Sequence, residues 1–381
     1  MEMAKISQLE LIPLMYRLPE GRTYGMARGL AAARQTTVVK LVTDDGVTGI
    51  GEAWGPPKVT RAYFDLILPY FVGRSVYDFE HVVSEIIATH YHFGIQNQMT
   101  ACFSGIDMAC LDAVGKMHNL PVADLIGGRA RSEVPVYVSG GYLTENPARD
   151  FPRELERLAQ TDARRVKIKI GISPVSDAER VSATRAKLGE EIDLIVDANG
   201  NYTVDEALDS MRRIADKRIY WYEEPLTPLD FNGYAALRRI APMPLAAGEA
   251  LYTAWDFKRL FDLEGIDVAQ PDLSLCGGLR VGREVAFLAR LNHLRLSPHV
   301  WGGAVGLAAA CHFVASLPDY PHSRNVVEPT LIEYDIGENP LRDEIVSEPI
   351  RLSQGLLKLP DRPGLGVELD PLATNRYRLD G

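Results

Sequence analysis

Residues 165–199, RVKIKIGISPVSDAERVSATRAKLGEEIDLIVDAN, read as a strand, an amphipathic helix and a second strand. The runs RVKIKI (165–170) and IDLIVD (192–197) are rich in β-branched residues, and SDAERVSATRAKLG (176–189) between them carries apolar residues at helical spacing. A compact strand–helix–strand unit of this kind crosses over right-handedly and leaves its two strands parallel. One residue type is out of place. A parallel strand buried on both faces is ordinarily an unbroken apolar run, and lysine is among the side chains least willing to leave water, yet Lys167 and Lys169 alternate along 165–170.

The same rhythm extends in both directions. VPVYVS (134–139) precedes the unit, and IYWYEE (219–224), PLAAGE (244–249), IDVAQPD (266–272), LRLSPH (294–299) and a run within NVVEPTLIEYD (325–335) follow it. Helical patterns such as TVDEALDSMRRIAD (203–216) and LRVGREVAFLARLN (279–292) lie between. Eight such units predict an α/β protein with a (β/α)8-type parallel barrel over about 132–339. An open doubly wound sheet is disfavoured, because no G-x-G-x-x-G turn follows any strand. Residues 1–131 lack the rhythm. ISQLELIPL and TTVVKLVTDDGVTGIGEA alternate like strands, DDG reads as a hairpin turn, and helices follow from about 60 to 119, so a separate α+β domain is expected. RLPEGRTYGMARGLAAARQ (17–35) reads as a mobile loop, and 340–381 as short strands and turns.

Composition narrows the function. Hydrophobic residues make up 46% and charged residues 24%, as in an ordinary globular protein, and 41 Lys plus Arg against 51 Asp plus Glu give a net charge of -10. That balance argues against nucleic acid or an anionic membrane as the main partner. Cys102, Cys110, Cys276 and Cys311 show no C-x-x-C spacing and are expected as free thiols in a reducing cytoplasm. No stretch reads as a signal peptide or spanning helix.

Barrel enzymes carry their chemistry at the C-terminal ends of the strands. The third, fourth and fifth runs end on Asp197 (VDAN), Glu223 (YEEP) and Glu249 (AAGE), evenly spaced along the chain. Singly, each would pass as a cap of the next helix; in step, they place three carboxylates at one rim. Three like charges so close call for a cation, and an all-oxygen set favours Mg²⁺ first, with Mn²⁺ or Ca²⁺ also suited. The sixth run ends at Asp272 (QPD) and the seventh at His299 (SPH), an arrangement that fixes an imidazole tautomer. His293 and His312 fall in helical or connecting segments and read as structural. Lys167 and Lys169 face one side of their strand and so point into the barrel mouth opposite His299. They serve either as charge balance for the carboxylates or, for Lys169, as a base whose pKa Lys167 and a metal would depress.

Taken together, KIK (167–169), DAN (197–199), EEP (223–225), GE (248–249), QPD (270–272) and PH (298–299) make the chain resemble the enolase superfamily, within it the mandelate racemase subgroup. The resemblance implies a divalent metal on Asp197, Glu223 and Glu249, a base at Lys169 assisted by Lys167, and a second base, His299, paired with Asp272. It also implies a last-strand carboxyl toward the substrate carboxylate, for which Glu333 (LIEYD) is preferred over Glu328 (VVEP). Asn199, Trp301, and Tyr24 and Arg28 of a lid loop at 17–35 are the expected substrate-binding residues. The N-terminal domain would then be a capping domain, completed by the C-terminal segment, in a homo-oligomer. SPHVWGGAVGLAAA and NVVEPTLIEYDIGENP look most like the acid-sugar members, notably galactarolactone cycloisomerases. The implied activity is removal of the proton α to the carboxylate of a hydroxylated acid through a metal-stabilised enediolate, leading to lactone cycloisomerisation or dehydration. The alternatives are racemisation or epimerisation and, outside catalysis, a metal- or sugar-acid-binding protein; retention of every base disfavours the last.

Overall fold

The structure, a computed structural model, describes residues 3–161, 163–319 and 329–379. The first strand, β1 (Ile6–Arg17), leads into a small hairpin of β2 (Tyr24–Met26) and β3 (Gly29–Ala31); β4 (Ala33–Thr43) and β5 (Thr48–Ala53) follow. β1, β4 and β5 form an antiparallel sheet in that order, with Ile6 opposite Thr43 and Arg17 opposite Ala33. The DDG turn closes the β4–β5 hairpin through the Thr43 N–H to Val47 carbonyl bond of 2.9 Å. Helices α1 (Pro57–Phe71), α2 (Phe79–Thr89) and α3 (Gln98–His118) cover this sheet. α3 is buried from Gln98 to Gly115 and lies so close to β5 that a Cβ on Gly51 would sit 1.9 Å from the Gly105 carbonyl oxygen. Only glycine lets the two backbones meet there.

Next come β6 (Glu133–Gly140), β7 (Leu143–Thr144), β8 (Arg165–Lys169), β9 (Asp193–Asp197), β10 (Ile219–Glu223), β11 (Leu245–Ala247), β12 (Val268–Ala269), β13 (Arg295–Leu296) and β14 (Ile332–Asp335). All of these except β7 form one parallel sheet that curls round, β14 returning to pair with β6 from Ile332–Val136 to Asp335–Ser139. The seam between β13 and β14 is thinner: the Glu333 amide reaches the Pro298 carbonyl at 3.5 Å, and Ser297 Oγ donates to the Leu331 carbonyl at 3.0 Å. The fold is therefore a (β/α)8-type barrel carrying an N-terminal α+β domain. Tyr137, Ile195, Trp221, Ala246, Val268 and Leu331 pack inside it as an apolar floor.

Two features bind the parts together. Asp107 of α3, fully buried, holds Arg280 of the helix Gly278–Leu291 by its guanidinium and by its backbone N–H at 3.1 Å. β15 (Leu352–Ser353) and β16 (Leu356–Lys358) form a hairpin whose second strand runs antiparallel to β6. From there residues 359–379 reach the N-terminal sheet, where Leu379 N–H bonds to the Pro13 carbonyl at 2.9 Å. The four cysteines are buried free thiols, and among the described residues no helix is long and apolar enough to cross a membrane.

Residues 17–35 differ from the irregular loop expected. β2 and β3 pair with each other, and β2 pairs on its other side with β7, Tyr24 opposite Thr144 and Gly25 opposite Leu143. The backbone polar groups of this Gly- and Arg-rich stretch are satisfied by a partner strand more than a hundred residues away, which no local periodicity reveals.

Candidate active site

Register places the central residues. Along β8, β9 and β10, Lys169 stands opposite Asp197 and Asp197 opposite Glu223, so a lysine and two carboxylates share one level at the C-terminal rim. Glu249 lies two residues beyond β11, after Gly248 at φ +137°, a backbone angle that suits glycine. One carboxylate oxygen each from Asp197, Glu223 and Glu249 falls within 4.8 Å of the others.

The groups around this triad leave it short of partners. Glu223 is held hardest: Lys167 donates to Oε1, while Trp221 Nε1 at 3.0 Å and Gln270 Nε2 at 2.7 Å share Oε2. Glu249 Oε2 and Asn199 Oδ1, by contrast, are buried without a hydrogen-bond partner. Burial lifts the Glu223 carboxyl to about 7 against the pull of Lys167. Buried oxygens that lack donors, next to carboxyls pushed out of their ordinary range, fit a hard divalent cation.

Lys167 and Lys169 are both buried. Lys167 Nζ touches Glu223, Glu333 at 3.0 Å and Asp197 at 3.7 Å; Lys169 Nζ lies 2.5 Å from Asp197 Oδ2. Burial opposes the charged form of Lys169 most strongly and Lys167 adds to it, but Asp197, Glu249 and Glu333 together outweigh both, so the ammonium is held above its ordinary range. Lys167 lowers it as expected, against the neighbouring carboxylates; the further depression expected from a metal belongs to the site with its cation bound. Arg180 fixes the backbone beneath by donating to the Lys169 carbonyl at 2.9 Å and the Gly141 carbonyl at 2.6 Å.

On the opposite side, Asp272 and His299 join as an isolated parallel bridge past the ends of β12 and β13. His299 Nδ1 lies 2.7 Å from Asp272 Oδ2, while its Nε2 faces Glu249 at 3.5 Å and Glu333 at 3.7 Å. The second Asp272 oxygen accepts the Ser274 N–H at 2.7 Å. Glu333 completes the ring, with Tyr137 Oη donating at 3.3 Å.

The remaining expected substrate residues are placed differently. Asn199 sits beside the triad, its backbone N–H donating to Asp197 Oδ1 at 2.8 Å. Arg28 spends its guanidinium on the Asn199 carbonyl at 2.8 Å and the Gly200 carbonyl, clamping the β2–β3 hairpin to the rim. Tyr24 and Trp301 pack with Tyr142, ring centroids 4.9 and 5.6 Å from it. Glu328 lies outside the described residues.

Several neighbours escaped sequence reasoning. Glu224, the second carboxyl of EEP, is buried with Asn199 Nδ2 3.5 Å away, and burial first, then Glu249 and Asp197, push it well above the usual carboxylate range. Gln270 stood within QPD, but an amide gives no charge signal. Arg34 is 3% exposed, paired with Asp335, and stacked 4.1 Å over Trp301; Tyr142 Oη donates to Asp335 at 2.6 Å. Nothing in RQTT (34–37) marks that arginine as buried.

A carboxylate triad at a barrel rim, with lysines on one side and a carboxylate-held histidine on the other, defines a barrel enzyme of carbon-acid chemistry. Residues 15–127 match the mandelate racemase / muconate lactonizing enzyme N-terminal domain, and residues 150–373 the enolase C-terminal domain-like family. The chain belongs to the mandelate racemase and muconate lactonizing enzyme family of the enolase superfamily. It is 32% identical over 348 residues to the D-galactarolactone cycloisomerase of Agrobacterium fabrum, covering 91% of this chain and 92% of that enzyme. It is 30% identical over 363 residues to the arabinonate dehydratase of Saccharolobus solfataricus, covering 92% and 93%. Among solved structures, the 3,6-anhydro-D-galactonate cycloisomerase from Zobellia galactanivorans superposes with a TM-score of 0.88 at 31% identity, over 99% of this chain and 100% of that one. A racemase from Streptomyces coelicolor A3(2), solved with bound magnesium, gives 0.87 at 27% identity over 98% and 100%.

Proposed function

We propose that this enzyme removes the proton α to the carboxylate of a hydroxylated, sugar-derived acid and carries the resulting enediolate on to lactone cycloisomerisation or dehydration. The observation that carries the reading is the position of the triad between two bases, Lys169 against Asp197 at 2.5 Å and His299 against Glu249 at 3.5 Å. Asp197, Glu223 and Glu249 would hold Mg²⁺, which when bound supplies Lewis-acid stabilisation of the charge that builds on the substrate carboxylate. Mn²⁺ meets the same oxygen set.

The chain's own groups divide the remaining work. Lys169 Nζ takes or returns the proton on one face. Lys167, fixed between Glu223 and Glu333, orients the carboxylate without leaving its place. His299 Nε2 serves the other face, where it returns a proton or protonates a departing β-oxygen, and Asp272 keeps the proton on Nδ1. Lys169, paired here with Asp197, would share that carboxylate with the cation. Tyr24 and Trp301, packed about Tyr142, offer flat faces suited to a polyhydroxylated chain. Supplied with Mg²⁺ and D₂O, the protein should exchange the α-proton of at least one member of a panel of mono- and diacid sugars and their lactones, read by NMR. A panel in which no acid exchanges and no product forms refutes the proposal.

A further inference from the structure

The short sequence GEAW (51–54), at the end of β5, reaches both loops that carry the Asp272–His299 pair. Glu52 is fully buried, and its carboxylate accepts from Thr36 Oγ1 at 2.8 Å, from the Gly303 N–H at 2.5 Å and from the Gly306 N–H at 2.8 Å. Every one of these donors is neutral, so no cation repays the desolvation of the carboxylate. The amides belong to the start of the helix Ala304–Ala315, four to seven residues after His299. The carboxylate also fills space that side chains would need: a Cβ on Gly302 would lie 2.1 Å from Glu52 Oε1. Trp54 holds the other arm. Its backbone N–H bonds to the Ser274 carbonyl at 3.0 Å, Ser274 N–H bonds to Asp272 Oδ1 at 2.7 Å, and its ring lies 5.9 Å from the His299 imidazole. None of these contacts involves Lys167 or Lys169.

We infer that Glu52 is a positioning residue for His299, through which the N-terminal domain sets the second base while leaving the lysine side alone. A costly buried carboxylate that takes two of its three hydrogen bonds from the segment just after His299 orients that segment, and His299 needs it, since the chain reaches the site beyond the two-residue strand β13. The inference rests on the reading of His299 as a base in the proposed function.

The test uses the full-length protein with Mg²⁺ and pairs of acid sugars epimeric at the α-carbon, which present their protons to opposite faces. Glu52→Gln keeps the shape but turns one oxygen into an NH₂ that confronts an amide N–H. Gly302→Ala disturbs the same contact from the other side and carries the test if Glu52→Gln does not fold. Exchange on the His299 face should fall about 10²-fold, the usual cost of a catalytic group displaced by an ångström, while the Lys169 face stays within about threefold. Mg²⁺ affinity by calorimetry should be unchanged. Equal loss on both faces, or no loss on either, in a folded, Mg²⁺-binding variant overturns the inference alone. Absence of exchange in the unaltered protein overturns the proposed function and this inference with it.

Discussion

Asp272→Asn isolates the histidine side of the site at one atom. Asp272 spends both oxygens, Oδ2 on His299 Nδ1 and Oδ1 on the Ser274 N–H, each at 2.7 Å. Asparagine has one acceptor and cannot serve both. If its oxygen keeps Ser274, its NH₂ faces Nδ1, the imidazole must carry its proton on Nε2, and the atom facing the substrate can no longer accept one. If the amide turns over, two donors meet at Ser274 and a buried N–H is left unpaired. Loss of a positioned general base costs about 10² to 10⁴ in rate, or about 3 to 5 kcal/mol of transition-state stabilisation. With epimeric acid sugars in D₂O, exchange on the His299 face should fall by that factor, while exchange on the Lys169 face and Mg²⁺ affinity stay unchanged. Retained exchange on the His299 face would show that the Asp272–His299 bond does not set the tautomer, and the two-base reasoning would fail.

Lys169→Met should show the mirror result, abolishing exchange on its own face and sparing the other; loss of both would mean that Lys169 serves the triad as a whole. Chelation should remove activity and Mg²⁺ restore it, whereas Glu249→Ala, which deletes the least tethered carboxylate, should weaken Mg²⁺ binding in calorimetry without unfolding the protein. His312, fully buried, links the Ala123 N–H at 3.2 Å to the Leu365 carbonyl at 3.1 Å, and burial holds its pKa down at about 4. A depressed histidine stabilises the fold above the unfolded value of about 6.5, and that stability is lost as pH falls toward 4, by up to about 3 kcal/mol. Urea unfolding at stepped pH should show this slope and His312→Gln should flatten it; an unchanged slope counts against the assignment.

The barrel was legible because short apolar runs, several of them rich in β-branched residues, alternate with helix-period segments, and the triad because its carboxylates close three successive runs. Lys167 and Lys169 could be read as site residues because burial makes them improbable anywhere else on a strand. What stayed hidden depends on partners distant in sequence. β2 is held in its sheet by β7, more than a hundred residues away, as well as by β3, Arg28 turns to backbone carbonyls that carry no sequence mark, and Glu52 looks like any residue near a strand end. Boundaries were blurred for the same reason. LRLSPH shortens to Arg295–Leu296, because past Leu296 the regular ladder gives way to separate bonds, Ser297 N–H to the Ala269 carbonyl at 2.9 Å and the isolated bridge of Asp272 to His299.

The wrap of residues 352–379 around the molecule bears on how the protein is made. β6, the first barrel strand to leave the ribosome, gains its antiparallel neighbour β16 only after more than two hundred further residues, and β1 acquires its contact with Arg378 later still. Neither domain can complete its hydrogen bonding during synthesis without the other, so the nascent chain must hold unpaired strand edges until the end, when ring and cap close together. A chain cut before residue 350 should therefore emerge as an aggregation-prone intermediate rather than as a smaller barrel.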